Sequence, residues 1–407
     1  MTTTTIPSRH GANVEEAKRI NRSLLLFIND RKAAPPDEQQ WQRMGQSLLA
    51  GDPPADELAR WIQQADSGAR FRAFEAALSD AEVPLDDLAP PLRGFFQAVQ
   101  EPPAWLDWQR VERGIAASAL SGRTGMRVLR DLGLMAGYQA SAINRTLVMT
   151  GALERGAARR VAETTKWWMD CTTAGGMRPG NEGHRTTLRV RLIHALVRQR
   201  LLQRPDWKTE EWGVPVNQLD MQATYLAFSV LFLFGQKLLG TRITHQESED
   251  IMHLWRYIGW LMGVDDTLLC RSEQQGRIAL YQNLLSQATA DDTSRQLGRA
   301  LMDEPLHRHY PGNQWLSGHW NKQVHLSIIR LFAGKKGMQA LGLPSWVPPW
   351  YPILFTPLNA GWCTLNRLTP GGKARLHRMG RKAQQRQLRT LFGEDRPEIK
   401  RSEFQSR

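Results

Sequence analysis

Cysteine is scarce in this chain of 407 residues: Cys171, Cys270 and Cys363 are its three. They form no C-x-x-C pair and no disulfide framework, which excludes a cystine-stapled scaffold and points to a reducing, cytoplasmic compartment. Long apolar runs are also missing. The stretch Leu24, Leu25, Leu26, Phe27, Ile28 is too short for a signal h-region or a transmembrane segment, and charged residues follow it instead of a cleavage site. Alternating strand patterns are nearly absent, so the chain reads as all-α. No P-loop, dinucleotide fingerprint, G-x-S-x-G or H-E-x-x-H motif occurs, and no internal repeat is visible.

Tryptophan, by contrast, is abundant, with fifteen residues. Indole offers much apolar area and few polar atoms, so many of these side chains are expected to line a core or a wide apolar pocket. The net charge is +13, and residues 366–407 hold 12 Lys/Arg against 4 Asp/Glu. Such a basic C-terminal tail fits contact with an anionic surface and fits equally a solvated helix. No motif for specific nucleic acid binding accompanies it.

Residues 1–100 read as an N-terminal helical extension packed on the core, made of short helices with proline-rich breaks at 34–36, 52–54 and 89–91. Asp37-Glu-Gln-Gln40 opens one of them as a near capping box. Residues 101–391 carry longer helical periods, among them 124–137, 153–173, 186–203, 216–239 and 370–390. Residues 392–407 read as a basic, flexible C-terminal tail. Gly175 to Gly183 has four Gly and one Pro and must turn the chain between two strong helices. Leu341 to Leu358 has five Pro and two Trp and reads as irregular chain laid over the core.

The chemistry concentrates on the two helices beside that turn. In the first, Leu153, Ala157, Arg160, Val161, Thr164 and Trp168 share one stripe by three- and four-residue steps. A charged Arg on an apolar stripe needs a partner. In the second, Val190, Ile193, His194, Val197 and Leu201 form the apolar face, with Arg191 and Arg198 one turn to either side of His194. A lone histidine on such a face fits a core position satisfied by a carbonyl. The whole set also fits a flat dianionic cofactor, haem b. His194 would then ligate the iron, Val190, Val197 and Trp168 would grip the macrocycle, and Arg191 and Arg198 would meet the propionates. Arg160 and Thr164 would face the sixth coordination position as donors.

Arg160-x-x-x-Thr164 and the run Arg189-Val-Arg-Leu-Ile-His-Ala-Leu-Val-Arg198 resemble the latex-clearing-protein and MpaB-type oxygenase family. Supporting matches are Gly213 to Asp220, Phe228-Ser229, Leu239-Gly240, Trp255-Arg256, Gly259 and the region from Leu341 to Arg381. The resemblance implies a globin-like, haem-binding helical core and dioxygen chemistry. It makes His194 the proximal iron ligand and Arg160 and Thr164 distal residues. The rubber-cleaving members carry a Lys just before the motif Thr, and a distal Glu about twenty residues upstream. Here those positions are Glu163 and Asn144. The expectation is therefore a haem-dependent oxygenase or oxidase on an apolar, unsaturated or phenolic small molecule, with Glu163 or Asn144 tuning proton traffic and bulk rubber unsuited as substrate. A haem-binding or gas-sensing protein without turnover is the alternative. Asp220 is expected to brace a helix near the site, Lys166 is the foremost alternative distal ligand, and His307-x-His309 is a weak metal candidate.

Overall fold

The computed structural model describes residues 5–64, 66–80, 83–151 and 156–393, and within them every regular element is helical. The helices begin where the sequence supplies caps. The Asp37 carboxylate accepts from the Gln40 amide at 2.7 Å, and the Gln40 side chain accepts from the Asp37 amide at 3.0 Å, completing the expected capping box. Asp107 accepts from the amides of Gln109 and Arg110 and opens Trp108–Leu120. Each cap satisfies amides that have no partner inside the helix.

The two helices singled out by the sequence are Ala157–Cys171 and Glu182–Leu202. The glycine-rich turn between them needs its glycines for close approach. A Cβ on Gly176 or Gly183 would come 2.3 or 2.7 Å from the Asp170 carbonyl oxygen, which nothing larger than glycine can tolerate. The helices are then cross-linked above the turn, where Trp167 Nε1 donates to Thr187 Oγ1 at 3.1 Å.

One continuous core joins the N-terminal extension to the rest. Ala55, Leu58, Phe74 and Phe95 belong to the same buried cluster as Leu188, Leu192 and Leu196 of the His194 helix, and as Trp255 and Ile258 of His245–Leu261. Acids of the extension also clasp the arginines of the His194 helix. Glu75 binds Arg189 at 2.7 Å through both oxygens, Asp52 binds Arg191 at 2.6 and 2.7 Å, and Asp56 binds Arg198.

Three departures from the expected elements matter. The helices expected at 124–137 and 216–239 each contain a wider π-helical turn, Leu129–Met135 and Ala227–Leu231, and the two turns pack on each other. The proline-rich stretch after Leu341 is not irregular throughout, because Trp350–Leu368 is a nineteen-residue helix. Pro352 sits in its first turn, where no amide donor is needed. Pro357 frees the carbonyl of Ile353, but Ile353 is 64% exposed, so water can take that place. Finally, the tail lies outside the described residues from position 394 on, as does Leu153.

Candidate functional site

The π turns and the two sequence-flagged helices enclose a cavity of about 1250 Å³. Sites for small molecules usually hold roughly 300–1,000 Å³, so a large cofactor and a substrate have room together. Its wall is mostly apolar. Val190, Ile193 and Val197 face it from the His194 helix, and the stacked rings of Phe228 and Trp255, 5.0 Å apart and 17° from parallel, give it a flat aromatic side. Trp167 also lines it. Trp168, expected there, is fully buried behind it against Phe232, because adjacent residues on a helix point about 100° apart.

His194 lines the cavity, and its buried Nδ1 has no hydrogen-bond partner among the described residues. Burial, aided by the charge of Arg198, pushes its pKa down to about 4, so the imidazole is neutral at pH 7. A neutral, unpartnered imidazole nitrogen at a cavity wall is competent to ligate a metal.

Arg160 lines the same cavity. Its Nη1 is buried without an acceptor, and its nearest companion is the Tyr138 ring, 5.8 Å from the guanidinium carbon. The charge of Arg160 is one of the causes that depress the His194 pKa, so the two groups act on the same space. Thr164 lines the cavity one turn on.

The remaining candidates divide. Glu163 reaches the cavity wall, yet its carboxylate is bound to Arg159 at 2.9 Å. Asn144 is fully buried, and its Nδ2 donates to the Tyr138 carbonyl at 2.7 Å and to Ser294 Oγ at 3.2 Å, leaving Oδ1 unpartnered. Lys166 is held by Asp170 at 2.6 and 2.7 Å and does not line the cavity. Asp220 braces, as expected, by pairing with Arg9 at 2.7 Å. Arg191 and Arg198 are the clear correction. They lie outside the cavity, fully engaged by Asp52 and Asp56, and so are not positioned to meet propionates. Among the described residues no cluster of three or more His, Cys, Asp or Glu could hold a metal ion, and His307 and His309 belong to none.

The sequence reading missed a second polar group on the cavity wall. Arg130, Arg308 and His325 line it and tie together Asp131 and Glu304, both of which have no exposed surface. Arg130 binds Glu304 at 2.8 Å and Asp131 at 2.7 Å, and Arg308 binds both Glu304 oxygens. Burial pushes Asp131 up to about 6 and holds His325 well below the usual imidazole range. A neutral His325 fits both of its contacts: Nδ1–H donates to Asp131 at 2.7 Å, and Nε2 accepts from Arg308 at 3.2 Å. This network ties its own charges together, whereas His194 Nδ1 and Arg160 Nη1 are buried without partners. The i,i+4 spacing of Glu304 and Arg308 was its one readable signal.

Comparison with known proteins places the chain in a family. The family model described as ER-bound oxygenase mpaB/B'/Rubber oxygenase, catalytic domain, matches residues 108–352, which include Arg160, Thr164 and His194. A rubber oxygenase of Streptomyces sp. (strain K30) is 27% identical over 179 residues, 43% of this chain and 43% of that protein. The match thus spans less than half of the relative's length. The structure of latex clearing protein LCP in the closed state superposes with a TM-score of 0.61 at 19% identity, over 83% of this chain and 91% of that one, a likeness of fold. With more than half of its length matched by the family model, the chain belongs to the mpaB/rubber oxygenase family.

Proposed function

We propose that the protein is a haem-b-dependent oxygenase or oxidase that uses dioxygen on an apolar small molecule, unsaturated or phenolic, in the cytoplasm. The observation that carries this reading is the pairing of a neutral imidazole with an unpartnered nitrogen, His194 Nδ1, and a cationic donor with an unpartnered nitrogen, Arg160 Nη1, on one large apolar cavity. The residues present fit the cofactor. His194 would hold the iron, and Val190, Ile193, Val197 and the Phe228–Trp255 wall would grip the macrocycle. Haem supplies the capacity to bind and activate dioxygen. Arg160 would place a positive donor where negative charge develops, and Thr164 would add a hydroxyl that can give or receive a proton.

Rubber is a poor fit as substrate. Asn144 is an amide with its Nδ2 committed to Tyr138 and Ser294, so it cannot serve as a carboxylate base. Glu163 is neutralised by Arg159. The apolar wall suits a small lipophilic molecule instead, and three buried thiols outside any disulfide fit a reducing compartment.

The test is the visible spectrum of protein purified from haem-sufficient cells, beside that of His194→Ala. A Soret band in the parent, lost in a variant whose far-UV circular dichroism is unchanged, is expected. A parent without a Soret band, or a variant that keeps it undiminished, overturns the assignment.

A further inference from the structure

The positive charge of this protein is confined to one stretch. Residues 1–304 carry 36 Lys/Arg and 36 Asp/Glu, and residues 394–407 carry four of each. The basic character of residues 366–407 therefore lies entirely before position 394. Residues 305–393 carry 13 Lys/Arg and no acid, so the whole +13 resides there.

The same stretch holds most of the exposed large apolar side chains. On Trp350–Leu368, Ile353, Leu354, Leu358, Trp362, Leu365 and Leu368 are all between 45% and 79% exposed. At about 100° per residue they fall on one half of the helix. The opposite side is buried through Pro352, Cys363 and Asn366, and Asn359 anchors it to the Leu239 carbonyl at 2.7 Å. Trp320 extends the patch, its ring 5.3 Å from that of Trp350, and Trp346, 77% exposed, lies just before the helix.

The helix Gly372–Phe392 follows after a short turn and packs beside the apolar one. It contains seven Lys/Arg and no acid. Arg375, Arg378, Lys382, Arg386 and Arg389 are exposed and have no carboxylate partner among the described residues.

We propose that the apolar helix Trp350–Leu368, with the basic helix Gly372–Phe392 beside it, seats the protein on an anionic lipid surface. An apolar helix face with tryptophans, flanked by unpaired cations, is the composition that lies in a membrane interface. No helix among the described residues is long and apolar enough to cross a membrane, so this one would lie on the surface. The charge argues against a second copy as occupant, since a symmetric contact would bring two acid-free faces together. It argues less for nucleic acid, whose phosphates would leave the apolar half of the helix uncovered.

The test is co-sedimentation of the full-length protein with vesicles of phosphatidylcholine alone, and of phosphatidylcholine mixed with phosphatidylglycerol. Pelleting with the mixed vesicles, weakened by salt, is expected. Leu358→Asp with Leu365→Asp should cut it more than tenfold. Arg378→Gln with Lys382→Gln should cut it roughly twenty-five-fold, at about fivefold per cation near an anionic surface. All four side chains are exposed, and unchanged circular dichroism and melting would confirm intact folding. Absence of pelleting with both vesicles overturns the proposal. So does a wild-type dimer that Leu358→Asp dissolves without any vesicle binding, or tight binding of a DNA duplex that the aspartate pair leaves untouched.

Discussion

A guanidinium nitrogen buried without an acceptor is costly, and the protein tolerates one at Arg160 Nη1. The adjoining cavity offers the return, because any anion or polar ligand seated there gains a charged donor already in place. Replacing Arg160 by Ala should leave haem bound and weaken cyanide binding to it by roughly ten- to a hundredfold, the worth of a charge-assisted hydrogen bond. Haem loss equal to that of His194→Ala would make Arg160 structural instead. The residue scale is also where the sequence was most and least legible. The helical period placed Arg160, Thr164, Val190, Ile193, His194 and Val197 on the cavity together. The same period put Arg191 and Arg198 about 60° and 40° to the other side of His194, and nothing local says which side faces a cofactor. That was decided by Asp52 and Asp56, 139 and 142 residues away.

Among the elements, the His194 helix is held as much by charge as by packing. Three of its arginines are gripped by three acids from the first hundred residues. Removing one partner leaves the other charge buried and alone, so Asp52→Asn should destabilise the protein by about 3–5 kcal/mol, read as a lower melting temperature. Cyanide affinity of the fraction that folds with haem should not change, since Arg191 does not reach the cavity. A fall in that affinity like the one predicted for Arg160→Ala would instead return Arg191 to the site. Elements were legible where caps and periods agreed, as at Asp37 and at the glycine-rich turn. Trp350–Leu368 was hidden because proline is read as a breaker, although a first-turn proline and a solvent-side proline are both compatible with helix. The Arg130–Asp131–Glu304–Arg308–His325 network was hidden for another reason: its members come from three separate parts of the chain and meet only on folding.

At the scale of the whole molecule, buried histidines set the response to acid. His184, His194 and His253 are each pushed down to about 4, chiefly by burial, and burial likewise holds His325 well below its usual range. In the unfolded chain each takes a proton near pH 6.5. Between about pH 6.5 and 4 the unfolded chain therefore binds four protons that the native protein refuses. Asp131 and Asp170, raised to about 6, work in the opposite sense but number only two. Stability should fall as pH drops from 7 to 5 and stay level from 7 to 8, as thermal melts across that range would show. An unchanged or rising melting temperature at pH 5 would contradict this sign.

The uneven distribution of charge has one more consequence. A molecule with a neutral bulk and all of its net charge on one stretch has a strong electric polarity, and a field applies a torque to it as well as a pull. It would approach any negative boundary in one preferred orientation, so that the cavity is presented to whatever diffuses along that boundary always at the same angle. Orientation, and not only local concentration, would then decide which molecules meet the pocket.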